Sequence, residues 1–363
     1  MSKLSYLPRL DGLRGIAISA VLIEHFISDR VIVGLSPGGF GVLTFFVLSG
    51  YLITRILMQY RERDTPIGAA AIHFYWRRLL RLSPPYYLAI VVAIILAIAG
   101  MRSTWWIHAL YLSNVKIALQ GNFGGAGHFW SLSVEEQFYL LWFFVVVALP
   151  RRFLAPAIVA SIAVGSLYRL ALYAVGVDHI KVVLLPGCMD SLATGALIAY
   201  AAHSKRWAFV ERLFLDWRML AFSLFAAVLV SWIQEWNSAT RFLVYPIAIT
   251  LFAGCAVRLG AERAKDWRMD WLSWFPLKCL GRISYGVYVY HAFVPDLMRL
   301  FVPGLDLTRL PELMRFLILA ATSIALASAS WILVERPILR LKDRPPLRPR
   351  SNRTPVYAKP MAD

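Results

Sequence analysis

Arg14 and His25 lie eleven positions apart in the run LDGLRGIAISAVLIEHF. Eleven helical steps of about 100° come within about 20° of three full turns, so both side chains share one helix face, roughly 16 Å apart along the axis. A permanent cation and a titratable imidazole on one stripe of an apolar helix are costly in a membrane and read as a functional site. The chemistry that suits His25 is general-base catalysis. Burial favours the neutral imidazole, which accepts a proton, and a neighbouring carboxylate can fix its tautomer. The competing role is structural, a histidine that hydrogen-bonds across packed helices.

The elements that must position this pair are membrane helices. Hydrophobic residues make up 59% of the 363 and charged residues 16%, against about a quarter charged in soluble domains. Apolar stretches recur along the whole chain, most running about 17–22 residues, which is bilayer-spanning length. The sequence predicts an all-α, polytopic membrane helical bundle of about ten transmembrane helices. They fall near 12–28, 39–57, 83–100, 129–149, 153–175, 184–202, 218–235, 242–258, 278–297 and 312–334. One membrane domain is expected over 1–340, with a disordered basic tail over 341–363 that is rich in Pro and Arg and could touch anionic lipid.

The net charge of +17 would suit nucleic acid, but the placement of the basic residues excludes that reading. With the N-terminus in the cytoplasm, inner segments carry 29 of the 38 Lys and Arg, and outer loops carry 7. That asymmetry is the positive-inside rule and puts both termini in the cytoplasm. Cys188, Cys255 and Cys279 have no CxxC spacing and read as small packing residues, not metal ligands.

This topology sorts the polar residues by depth. Arg14 falls at the inner end of the first span and His25 in its outer half. HFWSLSVEEQFYLLWF brings His128, Glu135 and Glu136 into the outer half, and LPGCMDSLATGALIA brings Asp190 to a similar level. His291 reaches that level at the end of GRISYGVYVYH. Glu135 and Glu136 are about 100° apart on a helix, so only one of them can face a given partner. Asp190 could instead cap its helix. The inner side collects Arg77, Arg78 and Arg81 in FYWRRLLRLSPPYY. Arg78 and Arg81, spaced i, i+3, share a face, and paired guanidiniums suit phosphate; the alternative is a headgroup anchor. Glycines at 38, 39 and 41 open the second span, and GNFGGAGHF lies in the longest outer loop. Small residues there permit close approach of a helix or a ligand. A nucleophilic role for Ser49 is weakly supported, since no base is placed beside it in the sequence.

Taken together these runs resemble the acyltransferase-3 family of bacterial membrane O-acyltransferases. The resemblance rests on LDGLRG with Arg14-x10-His25, GFGVLTFFVLSGYLI, FYWRRLLRLSPPYY, HFWSLSVEEQFYLLW, MDSLATGALIA, GRISYGVYVYH and VERP, in the family's order. It covers nearly the whole chain. It implies a ten-helix domain of the bacterial cytoplasmic (inner) membrane. Such a domain takes an acyl group, usually acetyl, from cytoplasmic acyl-CoA and passes it to a hydroxyl of a cell-surface or envelope glycan or a lipid-linked saccharide. The family pattern makes Arg14 and His25 the essential pair and gives Arg78 and Arg81 a donor-side role; Glu136, Asp190 and His291 fall on its motif positions. Acyl-CoA is then a co-substrate whose phosphates meet Arg14, Arg78 and Arg81, while His25, oriented by Glu136 or Asp190, deprotonates the acceptor. Cys188 stands where relatives often carry an Arg, which leaves an Arg–Asp pair within span six in doubt. Many relatives continue into an SGNH-type domain. This sequence ends in a short tail, so direct transfer, or hand-over to a separate extracytoplasmic acyl-transfer protein, is expected. The rival readings are a transporter or flippase, for which no inverted repeat is visible, and a catalytically silent scaffold.

Overall fold

A computed structural model describes residues 6–29, 34–177, 179–204, 207–233, 237–262 and 267–342. Every regular element among them is helical. The long helices are α1 (Pro8–Phe26), α2 (Pro37–Glu62), α3 (Ile67–Ile95), α6 (Phe129–Val147), α7 (Arg151–Ala174), α8 (Leu185–Ala201), α10 (Trp217–Ile233), α11 (Tyr245–Ala261), α12 (Phe275–Tyr290) and α14 (Glu312–Ser330). Shorter helices connect them: α4 (Met101–Ala109), α5 (Ser113–Gln120), α9 (Ala208–Leu215), α13 (Val294–Phe301) and α15 (Arg336–Leu339).

Each expected span overlaps one of the long helices, although α3 starts well before the expected position 83 and so takes in Arg77, Arg78 and Arg81, and their membrane-crossing capacity differs. Among the described residues, five helical stretches are long and apolar enough to cross: Pro37–Glu62, Ile67–Ile95, Arg151–Ala174, Thr240–Ala261 and Glu312–Leu339. A sixth arises if α9 and α10, bent by 65°, form one span. Three of the helices that fall short are short or charged and lie inside the bundle. α1 carries Arg9, Asp11, Arg14 and Glu24, α8 has 17 residues and α12 has 16. These are the helices at the centre of the bundle. The basic tail lies outside the described residues from position 343 onward.

Packing at the centre depends on missing side chains. A Cβ at Gly50 of α2 would overlap the Leu192 carbonyl of α8, and one at Gly281 of α12 would overlap the Asp11 carbonyl of α1. With lipid on the outside there is little hydrophobic drive between helices, so close backbone approach and dispersion hold them together. One core cluster joins α1, α3, α6 and α12 around Val21, Tyr86, Phe129 and Tyr288. A second joins α2, α3, α6 and α8 around Phe46, Phe138, Trp142 and Leu192. Leu79, Val91 and Ile95 of α3 and Phe222, Phe225 and Trp232 of α10 remain exposed on the perimeter, where acyl chains would meet them.

Candidate active site

α1 carries two differently furnished ends. At the N-terminal end, Asp11 accepts from Arg14 Nη1 at 2.7 Å and from the Tyr6 hydroxyl at 2.7 Å, and Arg282 of α12 approaches it at 3.8 Å. Asp11 therefore fixes one edge of the Arg14 guanidinium and leaves its other donors available. Arg14, Arg78, Arg81 and Arg282 line a cavity, with Glu135 and Tyr139 of α6 on its wall. Arg78 lies over the Tyr139 ring at 5.4 Å and the Phe74 ring at 5.8 Å, contacts that hold a guanidinium without using its hydrogen-bond donors. Four arginines and the Glu135 carboxyl line this cavity, with Asp11 behind Arg14 and Arg282, and a wall so rich in guanidiniums suits a polyanion.

Glu135, rather than Glu136, is the carboxylate on the wall of this cavity. Its oxygens accept from Ser49 Oγ at 2.7 Å and from the Tyr139 hydroxyl at 2.8 Å. Ser49 of α2 thus has a carboxylate beside it that the spacing along the chain did not reveal. Glu136 is half-buried and lines neither this cavity nor the next.

At the C-terminal end of α1, His25 is exposed to a larger cavity. Glycines form much of its wall, among them Gly38, Gly39, Gly124 and Gly125, with Trp130, Arg241 and Tyr245. His25 Nδ1 sits 2.9 Å from the Val21 carbonyl. A carbonyl only accepts, so Nδ1 carries the hydrogen and Nε2 keeps its lone pair. The tautomer is set by the helix backbone of α1 itself and not by a carboxylate. Glu24, the next residue, is used elsewhere: it accepts from the Gly38 amide at 2.7 Å and ties α1 to the start of α2.

Two more histidines surround His25. The His291 ring meets it edge-on, centroids 4.7 Å apart, and His128 lies 5.1 Å beyond. His291 is fully buried, with Nδ1 2.7 Å from the Tyr288 carbonyl; His128 Nε2 sits 3.0 Å from the Val289 carbonyl. Both rings are thereby referenced to α12. His291 supports His25 from behind and is not itself on the cavity wall, whereas His128 lines it. Among the described residues no group of three or more His, Cys, Asp or Glu is arranged to hold a metal ion.

Asp190 sits apart from both cavities. Its carboxylate is gripped by Arg169 of α7, Nη1 to Oδ1 at 2.9 Å and Nη2 to Oδ2 at 2.5 Å, and Nη1 also donates to the Gly187 carbonyl. The pair is 1% and 4% exposed. Orientation of His25 by Asp190 or by Glu136 is therefore not what the geometry provides. The arginine partner comes from the neighbouring helix, which explains how position 188 can be a cysteine.

Between the two cavities stand Val42 and Tyr288, which line both. The Tyr288 hydroxyl donates to the His128 carbonyl at 3.0 Å and lies 2.6 Å from Ser131 Oγ. Arg14 is on one side of this pair and His25 on the other.

Comparison with known proteins agrees in class with this layout. The chain is 28% identical to the peptidoglycan O-acetyltransferase OatA of Listeria monocytogenes, over 92% of this chain and 56% of that protein. It is 30% identical to the O-acetyltransferase OatA of Staphylococcus aureus, over 79% of this chain and 50% of that protein. The chain thus spans about half the length of these curated relatives. No solved structure matches it. A family model described as an acyltransferase domain matches residues 7–333, a stretch that takes in both cavities and every helix from α1 to α14, and the chain belongs to the acyltransferase-3 family.

Proposed function

We propose that the protein is a membrane O-acyltransferase that moves an acyl group, acetyl in the first instance, from cytoplasmic acyl-CoA to a hydroxyl of an envelope glycan. The observation that carries this reading is the division of α1: a four-arginine cavity at the Arg14 end and a glycine-walled cavity at the His25 end. The first suits the phosphates of CoA and the second has room for a saccharide. Arg14, Arg78 and Arg81 hold the donor, with Arg282 completing the set. The positive-inside pattern turns the arginine cavity toward the cytoplasm of a bacterial inner membrane and the glycine cavity outward.

The transfer runs at His25. Its Nε2 lone pair accepts the proton of the sugar hydroxyl as the oxygen attacks the thioester carbonyl. The tetrahedral adduct collapses with loss of the CoA thiolate, which takes that proton back. The products are an ester and CoA thiol, and the imidazole is neutral again. The backbone-fixed tautomer matters because a flipped ring would offer an N–H where a lone pair is required. Because the Listeria relative is named a peptidoglycan O-acetyltransferase, peptidoglycan is the first acceptor to test. The comparisons favour this reading over a transporter path built from the same charged residues.

Inside-out membrane vesicles given acetyl-CoA labelled in the acetyl group provide the test. Ester-linked label should appear on glycan, and removing one phosphate-binding arginine (Arg78→Ala) should raise the KM for acetyl-CoA roughly 10- to 100-fold, the value of one or two charged hydrogen bonds. No CoA-dependent label in vesicles containing the folded protein would contradict the proposal.

A further inference from the structure

The two cavities are separate, and of the described residues only Val42 and Tyr288 line both. On the transfer reading above, the acyl group must come from the side where Arg14, Arg78 and Arg81 lie to the side where His25 lies. The residues common to both walls mark the route between them. We infer that Val42 and Tyr288 form the aperture that selects the acyl group by cross-section, with Tyr288 as its fixed jaw and Val42 as the residue that sets its width.

Tyr288 is held from several directions. Its hydroxyl is bound by the His128 carbonyl and Ser131, both of α6 or its N-cap. Its ring is flanked by His291 at 5.5 Å, His128 at 5.9 Å and Phe45 at 6.4 Å, and only 6% of the residue is exposed. Moving it would break hydrogen bonds within the apolar interior and disturb the histidine pair next to His25. Val42 has no such ties. It is half-buried on α2, one turn beyond Gly38 and Gly39 and just before Phe45 and Phe46. A β-branched side chain there presents two methyl groups at a fixed χ1. The step in size along α2, from glycine through valine to phenylalanine, places the width control at position 42.

A passage with a planar ring on one side and an isopropyl group on another is expected to favour a flat, narrow acyl group. Acetyl meets that condition. A group branched next to the carbonyl does not, since its two methyls cannot both lie in the slot. Discrimination by one or two methyl groups in an apolar slot is worth about 10- to 200-fold, so the effect is measurable.

The experiment compares transfer from acetyl-CoA and isobutyryl-CoA in the same vesicles. Val42→Ala is expected to raise the isobutyryl-to-acetyl ratio at least about tenfold. Val42→Thr, which keeps the branched shape, should leave the ratio at the wild-type value and so separates width from general loosening of α2. Val42→Phe should suppress isobutyryl transfer further relative to acetyl. A ratio that does not move in Val42→Ala while acetyl transfer persists overturns the aperture and leaves the transfer reading standing. A ratio that rises equally in Val42→Thr overturns it as well. Failure of the wild-type protein to transfer either group would overturn both.

Discussion

At the residue scale, the division of labour is set by which atoms are already committed. Asp11 uses one edge of Arg14, Val21 fixes His25, and Glu135 is shared by Ser49 and Tyr139. That Arg14 and His25 share one helix was legible because the apolar run and its periodicity carry both. The choice between Glu135 and Glu136 was not, because two adjacent residues always straddle a face and only the neighbouring helices decide which points inward. Glu135→Gln replaces one of the two acceptor oxygens used by Ser49 and Tyr139 with a donor amide, so it should lower transfer more than Glu136→Gln does. Equal effects of the two, measured as ester formed per folded protein, would contradict the assignment of Glu135 to the cavity.

Helix spacing explains what could be read at the scale of elements. The ten apolar stretches fall largely on helices, since length and composition dominate that outcome. Pairings between helices were hidden. Nothing in the spacing of Arg169 and Asp190, 21 residues apart, says that α7 and α8 bring them together, and the absent arginine at 188 made a pair harder to see. Breaking one partner leaves an unpaired charge in the interior, at about 3–5 kcal/mol. Arg169→Leu is therefore expected to reduce the thermal stability of the detergent-solubilised protein strongly, and Arg169→Leu with Asp190→Leu to recover much of it. A double variant as unstable as the single one would argue that Asp190 has a further partner. Gly50→Val should be as severe, since no side chain fits against the Leu192 carbonyl.

On the scale of the whole molecule, charge placement supplies the orientation that the helices themselves do not. The loop after α2 should face the cytoplasm and the glycine-rich loop before α6 should face outward. With the native cysteines replaced by alanine, a membrane-impermeant thiol reagent added to intact cells should label Asn122→Cys and spare Asp64→Cys. The opposite pattern would reverse the roles of the two cavities.

The central claim is that His25 takes the acceptor proton. It is tested by the ester content of fractionated envelope glycans, measured by mass spectrometry in cells carrying wild-type protein or His25→Ala at matched membrane abundance. Loss of a general base costs about 100- to 10,000-fold, so the account predicts that the esters fall to the level of cells lacking the protein. Esters at the wild-type level with a folded His25→Ala variant would contradict it.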